Sequence, residues 1–165
     1  MTALRPLLTT LALVALLLPL SATAAPDNAR ALQGLEQGKV VWNITLDDPQ
    51  ELTGQMRVIQ QTYRDLANAG IEPKMVLGFH SHNVNYLAQD LDHIKLEKMD
   101  AVQRFQEQLG KVAELEGVRV EACAIANRFF GMKGKTMRDD VHVVANGYVS
   151  FIAYQHQGYG MIGIH

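Results

Sequence analysis

Cysteine is almost absent from this chain, since Cys123 is the only one among 165 residues. One cysteine cannot form a disulfide bond within its own chain, so the fold must be stabilised by its hydrophobic core. Paired-cysteine zinc sites of the C-x-x-C type are excluded for the same reason. The single thiol is therefore either available for chemistry or a small side chain that fills space in the core.

The sequence also lacks an excess of positive charge and the glycine motifs that bind phosphate. Lys and Arg number 15 against 17 Asp and Glu, which gives a formal net charge of −2. Nucleic-acid binding depends on clustered cations, so we expect no nucleic-acid partner. Neither G-x-G-x-x-G nor G-x-x-x-x-G-K-[ST] occurs, and we therefore predict no cofactor.

Long apolar runs are confined to the N-terminus. Arg5 precedes an apolar run over residues 7–20, and the small-residue site Ala22-Thr23-Ala24 follows it. This order is typical of a secretory signal peptide over residues 1–24, with cleavage before Ala25, and a retained membrane anchor is the alternative. The run is interrupted by Pro19 and is shorter than the ~20 residues of a spanning helix. We therefore expect a periplasmic or secreted protein that is soluble after cleavage and has no further contact with the membrane.

Strand and helix patterns alternate after a polar lead over residues 25–38. Short β-branched segments predict strands at 39–46, 74–79, 118–123, 141–145 and 159–164. Amphipathic or capped segments between them predict helices, the first of which is capped by Asp48 and followed by Pro49. This alternation predicts one α/β domain over residues 39–165. We expect a single-domain sandwich with a mainly parallel, roughly five-stranded sheet and helices on both faces.

Polar residues follow the predicted strands at the edge where α/β sheets bind ligands. His80 comes after the second strand, Cys123 ends the third, and Asn146 follows the fourth. Cys123 also stands at the start of a predicted helix, where unpaired N–H groups and the helix dipole stabilise a thiolate. The alternative is a cysteine that fills a small gap beneath that helix. Arg128 and other cations follow Cys123 and would add positive potential.

His80 and His82 occupy alternate positions in "FHSH", so in an extended segment they would point to the same side. Two such imidazoles could bind a metal, with Cys123, Asp47 or His142 as a third ligand. No complete metal-binding pattern is present, and we predict no metal, with the His80 and His82 pair as the alternative. A further hypothesis is that His80 of this loop activates Cys123 as a nucleophile.

Three segments resemble the DsrE/DsrF-like family. "VEACAIANRFFGM" resembles its active-cysteine segment, and "VVANGYVSFIAYQHQGYGMIGIH" is similar to the ending of its exported branch. "VLGFHSHNVNYL" resembles the segment after the family's second strand, and the likeness extends over residues 39–165. The resemblance implies an α/β sandwich, assembly into homo-oligomers or with related subunits, and sulfur trafficking, in which a cysteine accepts a persulfide sulfur from one protein and gives it to another. By position, that cysteine is Cys123.

We therefore predict a periplasmic sulfur-handling protein in which Cys123 carries a persulfide or binds sulfane sulfur, a carrier or binding protein rather than a turnover enzyme. The predicted pocket residues around Cys123 are His80, His82, Asn146 and Arg128. Sulfur donor and acceptor proteins, or small sulfur species, would be the partners, and the chain would form a homo-oligomer. The alternative is a noncatalytic oligomeric module that binds a small ligand or a metal through the His80 and His82 loop.

Overall fold

The computed structural model describes residues 25–165, so the predicted signal peptide lies outside the described residues. Residues 32–165 form one compact unit. In the short segment before it, the Asp27 carboxylate accepts a hydrogen bond from the backbone N–H of Ala29. None of the helices within 25–165 combines the length and the apolar character needed to cross a membrane.

Five parallel strands form a single sheet. They are β1 (Gln37–Ile44), β2 (Glu72–Phe79), β3 (Val118–Cys123), β4 (Val141–Val144) and β5 (Gly160–Ile164). Their order across the sheet is β4-β3-β2-β1-β5, and each neighbouring pair runs parallel. The predicted parallel five-stranded sheet is confirmed, although β1 begins at Gln37, inside the segment predicted to be a polar lead.

Four α-helices and one 3₁₀ helix connect the strands. The α-helices are α1 (Pro49–Asn68), α2 (Leu96–Ala113), α3 (Ala124–Phe129) and α4 (Gly147–His156), and the 3₁₀ helix is His82–Leu87. Asp48 caps α1 as expected, because its carboxylate accepts the N–H groups of Gln50 and Glu51 at 2.9 and 2.8 Å.

The two faces of the sheet bury different sets of side chains. Alternate strand residues such as Leu77 and Phe79 pack with the apolar stripes of α1 and α2 in the larger core. Val41 and Val76 belong to the opposite face and pack against Phe151 and Tyr154 of α4. Helices therefore cover both faces, which confirms the predicted α/β sandwich.

Candidate functional site

A cavity of about 320 Å³ lies at the carboxyl edge of the sheet. The segments after β2, β3 and β4 meet there because parallel strands all end at one edge. The structure thus brings together His80, Cys123 and Asn146, three of the residues selected from the sequence. The residues that line the cavity are His80, Cys123, Ile125, Ala126, Phe129, Phe130, Asn146 and Tyr148.

Cys123 contributes its sulfur to this cavity from the junction of β3 and α3. The residue is 6% exposed and occupies the N-cap position of α3 in extended backbone conformation. Its Sγ accepts a hydrogen bond from the backbone N–H of Gly147 at 3.3 Å. Gly147 is the first residue of α4, so its N–H is one of the donors that the helix itself leaves unpaired. The thiol is therefore held at the beginning of two helices.

Gly147 makes this contact possible because it has no side chain. A methyl group on its Cα would lie 3.3 Å from the Cβ of Cys123 and 3.5 Å from the Cβ of His80. The preceding residue, Asn146, caps α4 by accepting the N–H of Tyr148 at 3.0 Å. The Asn146 oxygen is thus committed to starting the helix that donates to the sulfur.

His80 forms a second wall of the cavity and is fixed from several sides. Its Nε2 lies 2.5 Å from Oδ1 of Asn43 on β1. Its ring packs edge-on against Tyr148 and Phe151, with centroid distances of 5.2 and 5.3 Å. Desolvation lowers the pKa of His80, so the imidazole is neutral at neutral pH. With Nε2 donating to the Asn43 oxygen, Nδ1 of the neutral ring is an acceptor.

The predicted pocket positions of His82 and Arg128 are corrected by the structure. His82 begins the 3₁₀ helix, so the alternation of an extended segment does not apply to it. It lines a neighbouring cavity, where its Nδ1 lies 2.9 Å from the Asp47 carboxylate. Arg128 lies in the last turn of α3, is exposed and does not line the Cys123 cavity.

The alternative metal pair is also not assembled by the described chain. His80 and His82 line different cavities and have different polar partners, Asn43 and Asp47. Within residues 25–165 no group of three or more His, Cys, Asp and Glu side chains is arranged to hold a metal ion.

Several residues of the site were not selected from the sequence. Asn43 orients His80 from the neighbouring strand β1, and Gly147 donates to the cysteine from the start of α4. Phe129 and Tyr148 add large apolar walls. Only Gly147 had a local signal, because it directly follows a predicted helix cap. The others depend on contacts between segments far apart in the chain.

These features define the class: an α/β protein with a parallel five-stranded sheet and a cysteine-lined cavity at its carboxyl edge. No family model matches the chain. An uncharacterized protein of Aquifex aeolicus is 26% identical over 125 residues, which cover 75% of this chain and 55% of that protein. The chain thus spans about half the length of that relative. The solved structure of MTH1491, a protein of unknown function from Methanobacterium thermoautotrophicum, is also similar, with a TM-score of 0.59 and 22% identity. That similarity covers 76% of this chain and 97% of MTH1491, and it supports the fold.

Proposed function

We propose that this protein carries sulfane sulfur as a persulfide on Cys123, in the manner of the DsrE/DsrF-like family that its sequence resembles. The observation that carries the proposal is the setting of the thiol. Cys123 lines a cavity, and a backbone N–H from the start of α4 donates to its sulfur at 3.3 Å.

The transfer is a thiolate exchange at sulfur. The Cys123 thiolate attacks the outer sulfur of a donor persulfide, R–S–S⁻, and forms a new S–S bond. The S–S bond of the donor breaks, and R–S⁻ leaves with the electron pair, so no oxidant or reductant is needed. Delivery to an acceptor thiolate reverses these steps. The Gly147 N–H donates to this sulfur and holds it in position for the exchange.

The walls of the cavity suit a sulfur species better than a strongly hydrated substrate. Ile125, Ala126 and Phe129 present apolar surface, and the neutral His80 adds no charge. A volume of about 320 Å³ accommodates a small persulfide donor or the end of a protein-bound one. The Nδ1 acceptor of His80 is the group on this wall that would accept a proton from an incoming hydropersulfide.

The test is sulfur uptake by the reduced, folded protein. After treatment with inorganic polysulfide and removal of excess reagent, intact mass should increase by one sulfur atom in the wild type and be unchanged in Cys123→Ser. A control for surface reactivity is the double variant Cys123→Ser/Ala153→Cys, which moves the thiol to an exposed position on α4. We expect the sulfur on Cys123 to survive a challenge with dilute glutathione longer than the sulfur on residue 153. Equal loss from both positions, or no uptake at Cys123, would exclude the carrier function.

We also propose that the protein is exported and acts in the periplasm, where its donor and acceptor would be proteins or small sulfur species of that compartment. The support is the signal-peptide pattern of residues 1–24. N-terminal sequencing of the protein from a periplasmic extract should begin at Ala25. A chain that stays in the membrane fraction with Met1 intact would contradict export.

A further inference from the structure

A second cavity of about 440 Å³ lies beside the Cys123 cavity, and Phe130 lines both. Most of its polar wall comes from the segment between β2 and α2 and from the first turn of α2. His82 and Asn85 belong to the 3₁₀ helix, His93 and Lys95 precede α2, and Lys98 lies in its first turn. The sulfur chemistry proposed above uses none of these five side chains.

The lysine side chains that line this cavity are positively charged, and no acidic side chain of the described chain lines it with them. These lysines are Lys95 and Lys98. In the part of the chain that the structure describes, neither lysine forms an ion pair, in contrast to Lys111 and Lys135. Carboxylates lie outside the wall: Asp47 bonds His82 at 2.9 Å, and Asp92 lies 3.5 Å from His93. The two lysine charges are thus available to a ligand.

The start of α2 adds to this positive field. Lys95 is the N-cap residue of this 18-residue helix, and no side chain caps its first N–H groups. The positive end of a helix dipole favours anions. Lys95 at the N-cap adds positive charge there, in place of the usual acidic or hydroxyl cap. Glu97 in the first turn offsets part of this charge, but it is exposed and does not line the cavity.

Asn85 adds a neutral polar group to the wall of the cavity. It lines the cavity and is only 6% exposed, and His93 Nε2 donates to its backbone carbonyl at 2.9 Å. Its side-chain amide is not among the buried groups of the described chain that lack a hydrogen-bond partner, so the amide is open to the cavity and can donate to a ligand there.

The opposite wall is apolar. Met132 is nearly buried, Phe130 is partly exposed, and Ile94 completes the surface. A simple inorganic anion would leave this wall in contact with water, whereas an anion with an attached aromatic or aliphatic body would cover it. The cavity is large enough for both parts of such a molecule.

We propose that this second cavity binds a small organic anion, with Lys95, Lys98 and the Asn85 amide at its charged head and Phe130 and Met132 against its apolar body. The site is independent of persulfide formation on Cys123.

Calorimetric titration of the purified protein with phenyl phosphate tests this proposal. Inorganic phosphate is the control for the charged head of the ligand, and benzyl alcohol is the control for its apolar body. Phenyl phosphate should bind saturably and more tightly than either. Lys98→Gln should weaken its binding about tenfold, the effect of losing roughly one charge-assisted contact. Lys133→Gln removes the same charge from an exposed position outside the cavity and should leave the affinity unchanged.

Two further variants separate this site from protein stability and from the cysteine. Asn85→Asp places a negative charge among the donors and should abolish binding, with folding checked by thermal denaturation. If that variant does not fold, the surface variant Lys98→Gln still tests whether the cavity binds the anion. Cys123→Ser should bind phenyl phosphate like the wild type, so failure of the sulfur hypothesis does not affect this result. Equal affinity for benzyl alcohol and phenyl phosphate, or unchanged affinity in Lys98→Gln, would overturn the proposal.

Discussion

Burial favours the neutral form of His80, which forms one wall of the cysteine cavity. Desolvation lowers the pKa of this imidazole, and a Coulombic interaction with His165 acts in the same direction. A protonated His80 would add a charge to an apolar wall between Tyr148 and Phe151. The neutral ring instead keeps one acceptor nitrogen beside the cavity, while Asn43 holds the other.

The lowered pKa of His80 predicts a loss of stability in mild acid. In the unfolded chain a histidine binds its proton near pH 6.5, whereas folded His80 binds it at a lower pH. Between these two values the unfolded state holds more protons, so the free energy of unfolding decreases as the pH falls through this window. The contribution of His80 to the slope is below about 1.4 kcal/mol per pH unit, the limit for one whole proton.

Urea unfolding at several pH values between neutral and mildly acidic measures this slope. His80→Gln should show a shallower loss of stability than the wild type. His142→Gln removes a histidine from an exposed position on β4 and is the matched control, which should follow the wild type. The same slope in all three proteins would contradict the assignment to His80.

Helix α4 reaches the sulfur because it packs closely on the sheet. Phe151 of α4 lies over Gly78, the next-to-last residue of β2, where a Cβ atom would be 2.2 Å from the Phe151 ring. Gly78 pairs with Asn43 on one side and Glu121 on the other, so this contact lies on the central strand near the carboxyl edge of the sheet. Because Gly78 has no side chain, α4 can pack close to the sheet, and the first N–H of α4 donates to Cys123.

Gly78→Ala should therefore destabilise the protein by about 1–3 kcal/mol, because the added methyl forces Phe151 and α4 away from the sheet. Gly54→Ala is the matched control. Gly54 lies in α1 with open space around its Cα, so the same change should stabilise the protein by about 0.5–1 kcal/mol. Chemical denaturation measures both effects.

A double-mutant cycle identifies the contact that is responsible. Phe151→Leu gives the added methyl room, so it should cost less in the Gly78→Ala background than in the wild type. Additive effects of the two substitutions would show that Gly78→Ala acts elsewhere. Gly78→Ala should also slow sulfur uptake, since displacement of α4 removes the Gly147 N–H from Cys123.

Local signals in the sequence predicted the helices and strands well, but they could not predict contacts between segments on different strands. Asp48 and Pro49 define the start of α1, and Asn146 defines that of α4, because caps act within one turn. The strand ends correctly placed His80 and Cys123 at one edge. The hydrogen bond from Gly147 to Cys123 could not be predicted, since it depends on how closely α4 packs over Gly78. His82 was misplaced because the chain turns into a 3₁₀ helix there.

The outer surface of the molecule has an apolar region next to the cysteine cavity. Val149 and Ile152 lie exposed on α4, and Tyr148 and Phe129 continue this surface to the cavity wall. Phe129 is 81% exposed, and with its exposed neighbours it forms an apolar patch of the kind that marks protein interaction sites. A second copy of the chain is the partner that the family resemblance implies.

We expect the protein to form a homo-oligomer through this surface. Ile152→Lys should shift it towards the monomer in sedimentation velocity at micromolar concentration, because a lysine there would be buried without a partner. Gln155→Lys makes a similar charge change at an exposed polar position of α4 and is the control. A monomeric wild type, or equal behaviour of both variants, would contradict the interface.

Assembly through this surface would also control access to the cysteine. Phe129 and Tyr148 line the cavity, so a second copy seated on them would cover part of its mouth. Alkylation of Cys123 by iodoacetamide should therefore be faster in Ile152→Lys than in the oligomeric wild type, and Gln155→Lys should match the wild type. Equal rates in a dissociated Ile152→Lys variant would mean that the copies meet away from the cavity. The route by which sulfur reaches Cys123 would then be open in every assembly state.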